Sequence, residues 1–102
     1  MYIISITYKV SLEIVNQHLK DHVDYLNEHY KLGNFQVSGR KVPRTGGIIL
    51  STMKNKDELV AVLEKDPFKI NDLATYEVIE FIPSKTSEAF AFLQEDSIHY
   101  KT

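Results

Sequence analysis

Apolar residues alternate along residues 2–10, YIISITYKV. Tyr2, Ile4, Ile6, Tyr8 and Val10 fall on one face, and Ile3, Ser5, Thr7 and Lys9 fall on the other. A period of two, built from β-branched and aromatic residues, predicts a strand with one apolar and one mixed face. The period then changes. Leu12, Val15, Leu19, Val23, Leu26 and Tyr30 recur three and four apart. This predicts one helical stripe, started by Ser11 as N-cap, running to about Lys31 and closed by Gly33. Residues 34–42, NFQVSGRKV, return to strand character, with Phe35 and Val37 expected on one face. Gly39 interrupts this strand and predicts a bulge or a close backbone approach there. Pro43 to Gly47 form a turn, and residues 47–53, GIILSTM, read as a short apolar strand in the sheet interior.

Asn55 followed by Glu58 has the spacing of a capping box, so a helix over 56–65 is expected to bury Leu59, Val62 and Leu63. Asp66-Pro67-Phe68 stops that helix and opens a loop. Residues 73–82, LATYEVIEFI, give a fourth strand, ended by Pro83. Ser84 or Thr86 is the expected cap of a last helix within SEAFAFLQED, with Phe90 and Leu93 on one face and Phe92 adjacent. The order β-α-β-β-α-β plus a C-terminal helix predicts an α+β, ferredoxin-like fold with a four-stranded antiparallel sheet. Residues 1–83 make the domain, and 84–102 the C-terminal helix and tail. Two helices cover only one face of such a sheet. The mixed face of the first strand and the outward apolar residues of the fourth predict a second subunit on the other face, giving a dimeric α+β barrel with a cleft on each side.

Composition narrows the function classes. The 102 residues suit one domain. The absence of cysteine removes disulfides, thiolate metal sites and cysteine nucleophiles, and fits a reducing compartment. Twelve basic and 14 acidic residues are interspersed, for a formal net charge of −2, which argues against a nucleic-acid partner. No stretch reaches the roughly 20 apolar residues of a membrane span, and no signal-peptide pattern opens the chain, so a soluble cytoplasmic protein is expected. Walker, nucleophile-elbow and dinucleotide fingerprints do not occur.

Three of the four histidines lie in the first helical segment: His18, His22 and His29. His22 lies between Leu19 and Leu26, on or beside the apolar stripe. Burial there without a partner would cost a few kcal/mol, roughly, so the ring is either a satisfied core histidine or a general base in a half-buried pocket. His18 and His22 share a face and could hold a metal, yet no third ligand is evident, and no metal site is expected. His29 is expected to be solvated near the helix C-terminus, and His99 to lie in an unstructured tail. Asp66 at the end of a helix opposes the helix dipole. It is either an Asx-type cap for the turn at Pro67 or a functional carboxylate, and spacing leaves both open. Ser38, Gly39, Arg40 and the turn carrying Arg44 form either a hairpin loop or a pocket rim that binds an anion.

The strand IISITYK, His22-x-x-Tyr25-Leu26, Ser38-Gly39, Pro43-Arg44-Thr45-Gly46-Gly47-Ile48-Ile49, Asp66-Pro67-Phe68 and YEVIEF occur in this order. Over about residues 1–83 the chain thereby resembles the YciI-like (YCII-related) family. The resemblance implies a dimeric ferredoxin-like barrel and a His–Asp active site, which maps onto His22 and Asp66. One branch of that family dehydrochlorinates chlorinated hydroxyhydroquinones, so proton-transfer or elimination chemistry without a cofactor is implied. Two positions depart from the family pattern: Arg40 follows Gly39 where many members have proline, and Leu19 replaces an arginine three residues before the histidine. On this reading Asp66 orients His22, Arg40 stabilises an oxyanion, Ser38 orients the substrate and Arg44 adds to the anion site. The expected ligand is a small anionic or phenolic organic molecule. The rival expectation is a ligand-binding or interaction domain in which His22–Asp66 is only structural. A haem-degrading or quinol monooxygenase on the same barrel is a weaker reading, because the chain has no tryptophan.

Overall fold

A computed structural model describes residues 1–95 of the chain. Its elements are β1 (Tyr2–Tyr8), α1 (Leu12–Gln17), α2 (Leu19–Lys31), β2 (Phe35–Arg40), β3 (Gly46–Ser51), α3 (Lys56–Leu63), α4 (Pro67–Ile70), β4 (Ala74–Glu80) and a 3₁₀ segment, Glu88–Leu93. The strands form one antiparallel sheet in the order β2-β3-β1-β4, the ferredoxin-like arrangement. The continuous apolar run of β3 lies in the interior as expected, paired on both sides. The inward residues Tyr2, Ile4, Ile6 and Ile49 meet Tyr25 of α2, Leu59 and Leu63 of α3, and Phe35 in the main core. Val15, Phe68 and Leu73 make a smaller core under α1 and α4. Each fully buried side chain of this size contributes about 1.5–3 kcal/mol.

Local signals account for most element ends. Ser11 Oγ accepts from Ile14 N, Asn55 Oδ1 accepts from Glu58 N at 3.0 Å, and Gly33 takes the left-handed φ of +78° that ends α2. Four expectations need correction. First, the stripe over 12–31 is two helices. His18, with φ −111° and ψ 4°, breaks it without a side-chain cap. The break changes the phase of the second helix, so α2 buries Tyr25 and His29 and leaves Leu19 and Val23 36% and 41% exposed.

Second, the bulge lies between Phe35 and Val37, not at Gly39. Phe35 pairs with Ser51 and Val37 with Leu50, so they point to opposite faces: Phe35 is buried and Val37 is 51% exposed. The close backbone approach falls at Gly46 and Gly47 in β3. Third, His29 is buried, packed on Tyr25 and Phe35, and accepts at Nδ1 from the Asn34 amide at 3.0 Å. Fourth, residues after Asp66 form a helical turn rather than a loop. The final segment is a 3₁₀ stretch whose N-cap position is Ser87 rather than Ser84 or Thr86, and it leaves Phe90 and Phe92 exposed. His99 lies outside the described residues.

The sheet face away from the helices carries an apolar row set by register: Val37 beside Leu50, Leu50 beside Ile3, and Ile3 beside Ile79. Among the described residues no helix is long and apolar enough to cross a membrane.

Two predictions follow from this packing. A Cβ at Gly46 would stand 1.7 Å from the Ile6 carbonyl oxygen. Gly46→Ala is therefore expected to cost about 1–3 kcal/mol or more, lowering Tm by roughly 4–8 °C per kcal/mol. An unchanged melting temperature would contradict the β1–β3 contact. Burial pushes the His29 pKa below its ordinary value, and Lys65 adds to the shift against the opposing Glu28 and Asp66. The native state thus refuses a proton that the unfolded chain accepts. Its contribution is complete above about pH 6.5 and is lost as pH falls through the lower folded value. Urea titrations across this window should show a pH slope that His29→Gln flattens.

Candidate active site

Asp66 is fully buried, and three elements meet at its carboxylate. Pro67 cannot donate a backbone N–H and suits the first position of a helix, so the residue before it is placed as N-cap. Asp66 Oδ1 accepts from Phe68 N at 3.0 Å and from His22 Nδ1 at 2.8 Å. Its Oδ2 accepts from the Tyr76 hydroxyl of β4 at 2.6 Å. Asp66 is therefore not misplaced against a dipole. It lies beyond α3, which ends at Leu63 with Glu64 as its C-cap, and it begins α4, at the N-terminal side where anionic groups are favoured. The capping geometry and the histidine contact are present together.

The His22 ring is held on two sides. Nδ1–H is bound to Asp66, and the ring face stacks on Phe68, with centroids 3.9 Å apart and planes within 6°. The ring remains slightly exposed, with 12% of its side-chain surface accessible, and it lines the adjoining cavity. Burial first, then the Asp66 charge and their hydrogen bond, push the Tyr76 pKa far up, so Tyr76 remains a neutral donor. Burial does the same to Tyr25, whose hydroxyl donates to the Val62 carbonyl at 2.8 Å and fixes α2 on α3.

The cavity has a volume of about 360 Å³. One wall is apolar, from Leu19, Val23 and Leu26 of α2 against Ile6 and Ile49 of the sheet. Ser38, Arg40 and Arg44 line it together with His22. The bulge in β2 produces this. Past it, Ser38 pairs with Ile49 and Arg40 with Gly47, and both side chains take the helix-facing side. Ser38 Oγ is hydrogen-bonded to the Tyr30 hydroxyl, and Arg44 Nη2 donates to Asn16 Oδ1 at 2.7 Å. Among the described residues neither arginine has an ion-pair partner, and no three His, Asp or Glu side chains cluster as a metal site.

All five residues singled out from the sequence thus converge on one region. Four line the cavity, and Asp66 stands behind His22. Tyr76, Tyr30, Asn16 and Tyr8 escaped the sequence reading, although Tyr8 lines the cavity too. The available signal for Tyr76 was its inward position on a strand, where a buried hydroxyl needs an acceptor.

A solved structure of 5-chloro-2-hydroxyhydroquinone dehydrochlorinase (TftG) from Burkholderia phenoliruptrix AC1100, in complex with 2,5-dihydroxybenzoquinone, superposes with a TM-score of 0.67. The match is 20% identical and covers 79% of this chain and 93% of that one, a likeness of fold. No curated protein matches the chain. The model of the YCII-related domain matches residues 1–82, which hold all four strands and the whole of the His22–Asp66–Tyr76 arrangement. The chain belongs to the YCII-related family.

Proposed function

We propose that this protein is a small-molecule enzyme in which His22 is a general base oriented by Asp66, catalysing an isomerisation or elimination without a cofactor. The observation that carries this reading is the asymmetric fixing of His22. One ring nitrogen is bound to a buried carboxylate, and the ring itself lines a partly apolar cavity. Nε2 takes a proton from the substrate, and the pair of electrons released forms a new double bond. In an elimination a leaving group departs with its electrons. In an isomerisation the imidazolium returns the proton to another substrate atom. Asp66 stabilises the imidazolium through Nδ1–H, and Tyr76 and Phe68 N–H hold Asp66 in place. Arg40 is placed to stabilise oxyanion charge, and Ser38 to orient the substrate. The dehydrochlorinase with the same fold performs an elimination on a phenolic ring, which supports this reaction class by analogy of fold.

We further propose that a second copy covers the open sheet face, because the row Val37, Leu50, Ile3 and Ile79 spans all four strands and lacks a covering layer among the described residues. Residues 1–83 would form the dimerising unit.

A turnover screen with chlorinated hydroxyphenols and small organic acids tests the catalytic assignment. Once a substrate is found, His22→Ala and Asp66→Asn should each lower kcat/KM by about 10²–10⁴-fold. Tyr76→Phe should lower it by about 10-fold, the equivalent of roughly one lost hydrogen bond. Turnover that survives both of the first two substitutions would remove His22 and Asp66 from the mechanism. Ligand retention without turnover of any compound would favour a binding protein. For the assembly, sedimentation at micromolar concentration should give a dimer mass, and Leu50→Lys a monomer. A wild-type monomer would refute the barrel.

A further inference from the structure

Resting on the enzyme reading of the same cavity, we infer that its substrate is a small organic carboxylate, a monoanion with an apolar body no larger than about one ring. The first argument is charge. The basic side chains lining the cavity beside His22 are Arg40 and Arg44, and no acidic side chain lines it. Arg44 is tethered to a neutral amide oxygen, Asn16 Oδ1, which positions the guanidinium without cancelling its charge. Asp66 stands behind His22, joined to its Nδ1. Two guanidinium groups with one carboxylate behind the base leave a single positive charge to be balanced, and a monoanion balances it.

The second argument is chemical type. A guanidinium presents a planar fork of donors that matches a carboxylate in a bidentate geometry. A simple phenol, ionising near pH 10, would arrive neutral and leave that charge unbalanced. A phosphate dianion would overshoot the balance, and the cavity offers no lysine for it.

The third argument is the opposite wall. Leu19 and Val23 belong to the apolar periodicity of the helix, yet they are 36% and 41% exposed because the break at His18 turns them toward the cavity. Their side chains remain in water unless an apolar body covers them. At about 360 Å³ the cavity is near the lower end of the range for small-molecule sites, roughly 300–1,000 Å³. A single ring or a branched chain fits, with the carboxylate toward the arginines and the acidic hydrogen toward His22.

Calorimetric or NMR titration with benzoate, phenol, benzyl alcohol and phenyl phosphate tests this without requiring turnover. Benzoate should bind most tightly and weaken as salt rises. Arg40→Gln and Arg44→Gln should each weaken it at least about 10-fold, with melting temperatures checked to confirm folding. Benzoate that does not bind, phenol or phenyl phosphate that binds as tightly, or arginine variants without effect would each overturn the carboxylate assignment. Those outcomes would leave the His22–Asp66 reading standing if turnover still depends on the pair. Benzoate binding that depends on the arginines, beside turnover indifferent to His22 and Asp66, would instead sink the proton-transfer reading and keep the carboxylate site.

Discussion

A carboxylate with no access to water must have its charge met by donors, or the fold loses several kcal/mol, roughly, at that point. Asp66 meets this condition through Phe68 N, the Tyr76 hydroxyl and His22 Nδ1. These donors belong to the turn that follows it, to the edge strand β4 and to α2. The first two are neighbours along the chain, whereas α2 is distant from both. The same hydrogen bonds that satisfy the carboxylate therefore set how α2 lies over the sheet. The catalytic geometry is not added to a finished scaffold, since the histidine that faces the cavity is also one of the groups that makes Asp66 tolerable inside.

Two departures from regular structure build the cavity beside this centre. The break at His18 rotates α2 so that Tyr25 and His29 enter the core while Leu19 and Val23 leave it. The bulge after Phe35 exchanges the two faces of β2, so Ser38 and Arg40 point toward α2 and not toward the open face. Without the first, the helix would fill the space with its own leucine and valine. Without the second, the arginine would lie on the opposite side of the sheet. Each departure is a one-residue change of phase, and side-chain direction in helices and strands follows phase strictly.

The element order, the N-caps at Ser11 and Asn55 and the interior place of β3 were legible because each rests on local periodicity or a capping side chain. The His22–Asp66 partnership was legible through family resemblance and not through spacing, since 44 residues separate the two. Tyr76 could not be assigned because its partner is defined only when β4 lies beside β1. His29 was misread for the same kind of reason. Proximity to a helix end suggests solvent, but Phe35 and Asn34 fold back over it.

Composition, periodicity and capping residues determine which segments of this chain become helices and strands, because those preferences act over a few residues. They also leave a sheet with one face that helices do not cover. Tertiary structure decides where the phase breaks fall, because a kink or a bulge is selected by the packing it permits across the sheet. It thereby chooses which apolar residues are buried and which line the cavity. It also decides that an aspartate before a proline is both the cap of a short helix and the anchor of a histidine. That double role depends on contacts between segments that no local signal brings together.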